Sequence, residues 1–186
     1  AYVYYNGSNW SEKQRATDDH RPEYDHFNPV VAVDSNDNIH LVYVTTRPSG
    51  VGGYGIYNIH YKRFDGNNWS EEVNVSNSIY GAKNRPSVAV DSRDNVHIVW
   101  SDSRDDPAAM NGEIYYSKLD NDGNILVDNL RLTDHYEASG TPSLAIDRQD
   151  NIHVVWLICY NESDLKLYYM KLDNEGYVLI NETYLS

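Results

Sequence analysis

The sequence lacks the residues that would cross-link the chain or anchor it in a membrane. Its 186 residues include a single cysteine, Cys159, so an intrachain disulfide is excluded. No stretch reaches the roughly 18 consecutive apolar residues of a membrane-spanning helix. The first ten residues, AYVYYNGSNW, have neither the basic nor the apolar region of a signal peptide. We therefore expect no membrane span, and a buried, unreactive thiol at Cys159.

Basic residues are also scarce. Lysine and arginine number 15 against 28 aspartate and glutamate residues, which gives a formal net charge of −13. The sequence pI is about 4.7. The few basic residues are scattered along the chain, and a surface of this charge repels a phosphate backbone. Nucleic acid is therefore excluded as an expected partner.

The chain does contain one sequence motif in three similar copies. Residues 29–43 read PVVAVDSNDNIHLVY, residues 86–100 read PSVAVDSRDNVHIVW, and residues 142–156 read PSLAIDRQDNIHVVW. The copies begin at Pro29, Pro86 and Pro142, so the period is 57 and then 56 residues. A fixed period of this length without helical spacing predicts a repeated β unit the size of a propeller blade.

Each copy divides into four short apolar runs. In the second copy they are PSVAVD, NVHIVW, EIYYSKLD and ILVDNLRLT, and glycine-containing turns of the type NDGN join the third run to the fourth. This order predicts a four-stranded antiparallel meander. The first two runs are apolar on both faces, so both faces must be covered, as in the stacked blades of an all-β β-propeller. A β-sandwich is the alternative, although it does not require three near-identical copies.

The first residues fix the phase of the repeat. Residues 1–19 align with the third and fourth runs only, which gives 14 strands, or about three and a half blades. We divide the chain into an outer half blade (1–27) and three blades (28–84, 85–140 and 141–186) within one repeat domain. Fourteen strands do not close a ring of four-stranded blades, so we expect the remaining blades to come from a longer polypeptide or from a second copy.

The two hairpin motifs carry a resemblance to a known family. The inner hairpin P-x-h-A-h-D-x-x-D-N-h-H-h-V-W and the outer hairpin h-Y-Y-x-K-h-D-x-x-G resemble the repeats of sialidase-like (BNR-type) β-propeller surface proteins of bacteria and archaea. The resemblance implies the propeller fold and a location outside the cell. A sialidase also requires three convergent arginines, an acid/base aspartate and a tyrosine–glutamate pair, and this sequence does not place that set. We therefore assign no catalytic residue.

The loop after the second run of the second copy is the most individual segment. It reads SDSRDDPAAMNGE (101–113) and differs from its counterparts in the other copies. Loops held by a rigid scaffold commonly carry binding residues, and carboxylates beside a guanidinium suit a sugar or a carboxylate ligand. The candidate ligand-binding residues are Asp102, Arg104, Asp105 and Asp106; a solvated acidic loop is the alternative.

The repeated histidines His40, His97 and His153 raise the question of a metal site. Equivalent positions of successive blades lie around an axis, too far apart for one zinc ion with bonds of about 2.0 Å. We expect each imidazole to be buried and to hydrogen-bond between blades.

Calcium is the only cofactor that the sequence suggests. Asp120, Asp122 and Asn124 alternate in LDNDGNIL as at the start of a calcium loop, although the terminal glutamate is missing. The alternative is that these short polar side chains only form the turn.

Glycosylation sequons favour an extracellular or cell-surface location. We expect a non-catalytic module that binds a glycan, a peptide or a surface protein through its loops. The alternatives are a sialidase-type hydrolase whose catalytic residues lie partly outside the chain, and a structural module of a surface layer or filament. The candidate glycosylation sites are Asn6, Asn9, Asn68, Asn74, Asn161 and Asn181.

Overall fold

The computed structural model describes residues 3, 8–9, 11–17, 25–47, 56–106, 111–161 and 164–186. All regular secondary structure in these ranges is β-strand. Within the same ranges there is no helix of the length and apolarity that a membrane crossing requires. The predicted all-β class is confirmed.

In the described ranges twelve strands form three four-stranded antiparallel sheets, each in the simple order of the chain. The first sheet contains β1 (Asp25–Val33), β2 (Ile39–Arg47), β3 (Ile56–Phe64) and β4 (Val73–Asn74). The second contains β5 (Lys83–Val90), β6 (Val96–Asp102), β7 (Glu113–Leu119) and β8 (Ile125–Arg131). The third contains β9 (Ala138–Ile146), β10 (Ile152–Asn161), β11 (Asp164–Leu172) and β12 (Val178–Tyr184). These are the three predicted meanders.

The predicted half blade falls on residues 1–19, about half of which lie outside the described residues. Val3, Ala16 and Thr17 are described, and they line a cavity of about 480 Å³ together with Leu41 and Tyr43 of β2. These three residues therefore lie over the face of the first sheet that is turned away from the second sheet.

Two apolar cores join the three sheets face to face. The first core lies between the first and second sheets and includes Val42, Tyr61 and Trp100, all at most 1% exposed. The second core lies between the second and third sheets and includes Tyr116 and Trp156. Successive strand residues point to opposite faces, so Val99 and Trp100 of β6 enter different cores. This explains why the first two runs of each copy are apolar on both faces.

The recurrent Asp-x-x-Asp-Asn stretch forms the turn between the first two strands of each sheet. In the first sheet, Asp34 Oδ1 accepts the backbone N–H groups of Asn36 and Asn38, both at 2.9 Å. His40 Nε2 donates to Asp34 Oδ2 at 3.3 Å, and Tyr61 donates its hydroxyl proton to His40 Nδ1 at 2.9 Å. The equivalent residues are Asp91, His97 and Tyr116 in the second sheet, and Asp147, His153 and Tyr169 in the third.

The histidines thus differ in two respects from the expectation, because His153 of the third sheet is 33% exposed and none of the three makes its hydrogen bonds between sheets. Their imidazoles are buried in the first two sheets and hydrogen-bonded, but both partners lie in the same sheet. The contact between sheets is made by the aspartate instead: Asp34 accepts the amide of Asn121 at 2.8 Å, and Asp91 accepts the amide of Asn174 at 2.8 Å. The repeated motif therefore forms the turn and binds the histidine to the aspartate of the turn, a contact that we call the histidine anchor. The same aspartate accepts an amide hydrogen bond from the next sheet.

Gly123 and Gly176 complete this contact, with φ angles of 89° and 90°. A Cβ on Gly123 would lie 3.1 Å from the Tyr61 ring of the preceding sheet, and a Cβ on Gly176 would lie 3.3 Å from the Tyr116 ring. The turn therefore requires glycine both for its backbone conformation and for its close approach to a tyrosine.

Two glycine substitutions separate these requirements. Gly66 has a φ of 92°, but no described atom lies within 4 Å of its Cβ position. We expect Gly66→Ala to lower the free energy of unfolding by about 1–2 kcal/mol through backbone strain alone. Gly176→Ala should cost about 1–2 kcal/mol more, because its Cβ would lie 3.2 Å from Leu130 and 3.3 Å from Tyr116. Urea denaturation of both variants measures the difference; equal losses would show that the ring contact does not constrain the turn.

Candidate functional site

The loop after β6 begins with a buried network rather than an open site. Asp102 is fully buried and accepts the indole N–H of Trp100 at 2.9 Å. It also accepts the backbone N–H and the Nε–H of Arg104, each at 2.9 Å. The structure brings these two candidate residues together, but they bind each other instead of facing an open site.

Arg104 also joins the second sheet to the first. Its guanidinium donates to the carbonyl of Ser76 at 3.1 Å and to Asn129 Oδ1 at 2.7 Å. The group lies 4.5 Å from the centre of the Tyr115 ring. With Nε and one terminal nitrogen of its guanidinium engaged in this way, Arg104 links the two sheets, and its role as a ligand-binding residue remains only a prediction.

The other two candidates, Asp105 and Asp106, lie at a cavity of about 240 Å³. Asp105 accepts the hydroxyl of Tyr115 at 2.5 Å, and Asp106 accepts the amide of Asn111 at 3.3 Å. Asp105, Asp106, Asn111, Glu113, Arg131, His135 and Tyr136 line this space, which we call the rim cavity.

A buried carboxylate organises the floor of the rim cavity. Glu113 is 4% exposed and accepts the backbone N–H of His135 at 2.7 Å and the guanidinium of Arg131 at 3.2 Å. Burial opposes the charge of Arg131, but the carboxylates of Glu113, Asp105 and Asp134 outweigh it and raise the arginine pKa above its usual value. The guanidinium is therefore a permanently charged group surrounded by acidic side chains.

An exposed aromatic ring stands at the lip of the cavity. Tyr136 is 90% exposed, the highest value among the large apolar side chains of the described residues. Its carbonyl accepts the amide of Asn111 at 3.2 Å, which ties the lip to the loop after β6. On the other side, His135 Nε2 lies 2.8 Å from Glu182 Oε2 of β12. The ring thus stands free in solvent on a connection that is fixed at both sides.

Sequence reasoning found two of the seven lining residues. It missed Arg131, His135 and Tyr136 because they come from β8 and the connection to the third sheet. It did not select Asn111 and Glu113, although both lie in the segment 101–113 that it singled out. The available signal was this connection, LTDHYEASG, in which His135 replaces Ile79 of the first copy, whereas Tyr136 has a counterpart there in Tyr80.

A second cavity, of about 450 Å³, lies between the second and third sheets near the first strands of both. Arg85 lines it, and its guanidinium makes no hydrogen bond to another described residue. Asn28, Arg85 and Thr141 occupy equivalent positions before the three prolines, with φ angles of 50°, 52° and 50°. Such angles are uncommon for residues other than glycine and cost stability.

One tyrosine–glutamate pair occurs, as a sialidase would require. Tyr43 donates to Glu72, and His60 Nδ1 lies 2.8 Å from the same carboxylate. The close His60 imidazole lowers the pKa of Glu72 to about 2, against the opposing effect of burial. Tyr43 is only 2% exposed, and no arginine contacts Glu72 within the described part of the chain. The pair lacks the convergent arginines of a sialidase site.

The calcium candidates lie in the turn between β7 and β8. Asp120 Oδ1 accepts the N–H groups of Asp122 and Asn124 at 3.0 and 2.8 Å, and its Oδ2 accepts the Asn124 amide at 2.8 Å. The described residues contain no group of three or more His, Cys, Asp or Glu side chains arranged to hold a metal ion. The three residues form the turn in this arrangement, and calcium binding remains only a prediction.

The glycosylation candidates are distributed over the surface. Asn9, Asn68 and Asn181 are exposed, whereas Asn74 is half-buried and accepts the N–H of Asn77 at 3.0 Å. Asn6 and the side chain of Asn161 lie outside the described residues.

Comparison with known proteins identifies solved structures of similar fold, but no family to which the chain belongs. No family model matches the chain, and no curated protein matches it. Among solved structures, a Hadza microbial sialidase (Hz136) superposes with a TM-score of 0.61 at 10% identity, over 82% of this chain and 37% of that one. A polysaccharide lyase of family PL25, an ulvan lyase, superposes with a TM-score of 0.65 at 14% identity, over 88% and 43%. An endo-arabinase from Bacteroides thetaiotaomicron superposes with a TM-score of 0.58 at 12% identity, over 95% of this chain and 69% of that one.

These similarities concern the fold alone, because all three identities are low. The chain spans less than half of the sialidase and of the ulvan lyase. The names of these three proteins describe enzymes that act on glycans.

Proposed function

We propose that this chain is a segment of an extracellular β-propeller that binds a neutral glycan at the rim cavity without cleaving it. The observation that carries the proposal is the Tyr136 ring, 90% exposed beside a polar cavity. A flat aromatic face in solvent stacks on the C–H face of a sugar ring, while its rigid side chain loses little entropy. A volume of about 240 Å³ is below the range usual for drug-sized ligands and suits one small polar unit.

The charges around the cavity favour a neutral ligand over an acidic one. Asp105, Asp106 and Glu113 line it against a single guanidinium, Arg131, which already pairs with Glu113 and Asp134. Carboxylates accept hydrogen bonds from sugar hydroxyls but repel a sialic acid or a uronate. This argues against the sialidase-type alternative at this site.

The propeller assignment rests on the repeat and on the face-to-face sheets. Three meanders of equal construction share two apolar cores, and solved proteins with this fold act on glycans. An extracellular location is supported by sequons at the exposed residues Asn9, Asn68 and Asn181.

Binding to an array of neutral and acidic glycans, followed by calorimetry with the best neutral ligand, tests the proposal. We expect Tyr136→Ala to weaken binding about tenfold or more, which corresponds to about 1.4 kcal/mol, and Asp106→Asn to weaken it through lost hydrogen bonds. Tyr177→Ala, which removes a ring that is 73% exposed on another turn, should leave the affinity unchanged.

Three outcomes contradict the proposal. An array without any neutral ligand removes its basis. Equal losses in Tyr136→Ala and Tyr177→Ala would show that binding occurs elsewhere. Preferential binding of a lysine-rich peptide would reassign the acidic cavity to a basic protein partner.

A further inference from the structure

The third sheet presents an apolar face that its two sister sheets bury. Val155, Leu157, Leu167 and Tyr169 are half-buried, and Leu165 is 55% exposed. The equivalents of the four half-buried residues in the first two sheets are at most 1% exposed wherever they are apolar: Val42, Val44, Ile59 and Tyr61, and Val99, Ile114 and Tyr116. Tyr57, the equivalent of Leu165 in the first sheet, is half-buried. Large open patches of this kind mark an interaction surface.

The sole cysteine lies on this face. The sequence predicted a buried thiol, and that prediction is wrong, because Cys159 is exposed. Strand pairing places Cys159 where Ser103 stands in the second sheet, and Ser103 is 4% exposed there. Thr46 stands at this position in the first sheet and is half-buried, whereas Cys159 is exposed at the edge of the cavity of about 450 Å³ that it lines with Arg85.

Polar contacts at the two existing interfaces show what such a face receives. At the first interface, Asn121 donates its amide to Asp34, and Arg63 donates to the Asn121 carbonyl at 3.1 Å. Gly123, two residues later, approaches the Tyr61 ring. The contacting element is the turn Asp-Asn-x-Gly between the third and fourth strands of the incoming sheet.

The second interface repeats each of these contacts. Asn174 donates its amide to Asp91, and Lys118 donates to the Asn174 carbonyl at 3.0 Å. Gly176 approaches the Tyr116 ring. Two interfaces with the same three contacts define one mode of docking.

The third sheet carries the receiving half of this contact, and the described chain offers no turn to it. Asp147, Tyr169 and Lys171 stand at the receptor positions. Lys171 bends back onto Asp147 at 3.0 Å, whereas Arg63 and Lys118 reach forward to the next sheet. His153 is 33% exposed, whereas His40 and His97 are fully buried.

We propose that this face binds a further four-stranded sheet of the same repeat, carried on the same polypeptide and bearing an Asp-Asn-x-Gly turn. A second copy of the chain would fit less well, because the turn of its first sheet, Asp65-Gly66, has no asparagine after the aspartate. Consecutive sheets of one chain make both existing interfaces, and the ulvan lyase of the same fold is a single chain of which this one covers 43%.

A tandem chain tests the proposal through the reactivity of Cys159. Ser186 is equivalent to Thr133, so a second copy of segment 134–186 can follow Ser186 in register. The cysteine of the appended copy is replaced by serine, which leaves Cys159 as the single thiol. We expect docking of the fourth sheet to slow the reaction of Cys159 with an aromatic disulfide reagent about tenfold or more.

The matched control is the same tandem chain with the asparagine and glycine of the appended turn changed, as Asn174→Ala and Gly176→Val. Its Cys159 should react nearly as fast as in the 186-residue chain, while circular dichroism confirms that the added strands fold. A tandem chain whose Cys159 reacts at the single-chain rate overturns the proposal. So does concentration-dependent protection in the single chain with a dimer in light scattering, which would assign the face to a second copy. The surface is separate from the rim cavity, so neither result depends on glycan binding.

Discussion

Replacing Trp100 by alanine is expected to lower the free energy of unfolding by about 3–5 kcal/mol. The side chain is fully buried in the core between the first and second sheets. Its indole stacks on Tyr115 with ring centres 6.1 Å apart, and its N–H donates to Asp102. The substitution therefore empties a large site and also removes a partner of the buried Asp102 carboxylate.

Urea denaturation followed by circular dichroism measures this loss, and Tyr177→Ala is the control. Tyr177 is 73% exposed, so its removal should change stability by no more than about 0.5 kcal/mol. A loss below about 1 kcal/mol for Trp100→Ala would contradict the strand phase that places alternate residues of β6 in different cores.

The third sheet shows how far the repeat alone determines the packing. Trp156 stands at the position of Trp100 and is 1% exposed, but Ile158 replaces the acceptor Asp102, and the Trp156 indole N–H has no hydrogen-bond partner. The repeated motif predicted the burial of both tryptophans. The motif ends before the position of Asp102 and Ile158, which decides whether the indole N–H has a hydrogen-bond acceptor.

Much of the fold could be predicted from the sequence because each sheet is specified locally. Period, alternation and the turn glycines determined the three meanders, and the buried, hydrogen-bonded histidines were expected. It was not expected that the aspartate, rather than the histidine, makes the contact with the next sheet. Asn121 and Asn174 lie 87 and 83 residues from the aspartates that they contact. Contacts between sheets depend on how the sheets stack, which no single copy of the repeat records.

The rim cavity illustrates the limit more sharply. Asp105 and Asp106 were predicted from an unusual loop, whereas Asp102 and Arg104 of the same loop bind each other. The spacing of residues in the sequence does not distinguish a carboxylate that faces solvent from a buried one, such as Asp102, that binds a tryptophan. Tyr136 enters the site only because the connection to the third sheet passes beside that loop.

Replacing Asp91 by asparagine is expected to lower the free energy of unfolding by about 2–4 kcal/mol at pH 7. Its Oδ2 accepts Asn95 Nδ2 at 2.9 Å, His97 Nε2 at 3.3 Å and Asn174 Nδ2 at 2.8 Å, in a side chain that is fully buried. An amide has one oxygen, already used by backbone N–H groups of the turn, and its NH₂ faces these donors. The turn, the histidine anchor and the contact with the third sheet would weaken together.

The pH dependence separates the role of the charge from the role of shape. Burial alone would raise the pKa of Asp91, but hydrogen bonds from His97, Asn174 and Asn95 hold it well below its usual range. A carboxylate whose pKa is lowered by folding stabilises the protein above its unfolded pKa of about 3.9, and this stabilisation is lost progressively as the pH falls below that value. The gap in stability between the wild type and Asp91→Asn should therefore narrow between pH 5 and pH 3.

Asp120→Asn is the matched control, measured with a chelator so that calcium does not contribute. Asp120 accepts the same pair of backbone N–H groups within its turn, but its hydrogen bonds all remain in that turn. We expect its substitution to cost about 1 kcal/mol or less. Equal losses for the two variants would show that Asp91 stabilises only its own turn. A gap that does not change with pH would show that its charge contributes nothing to the joint between the sheets.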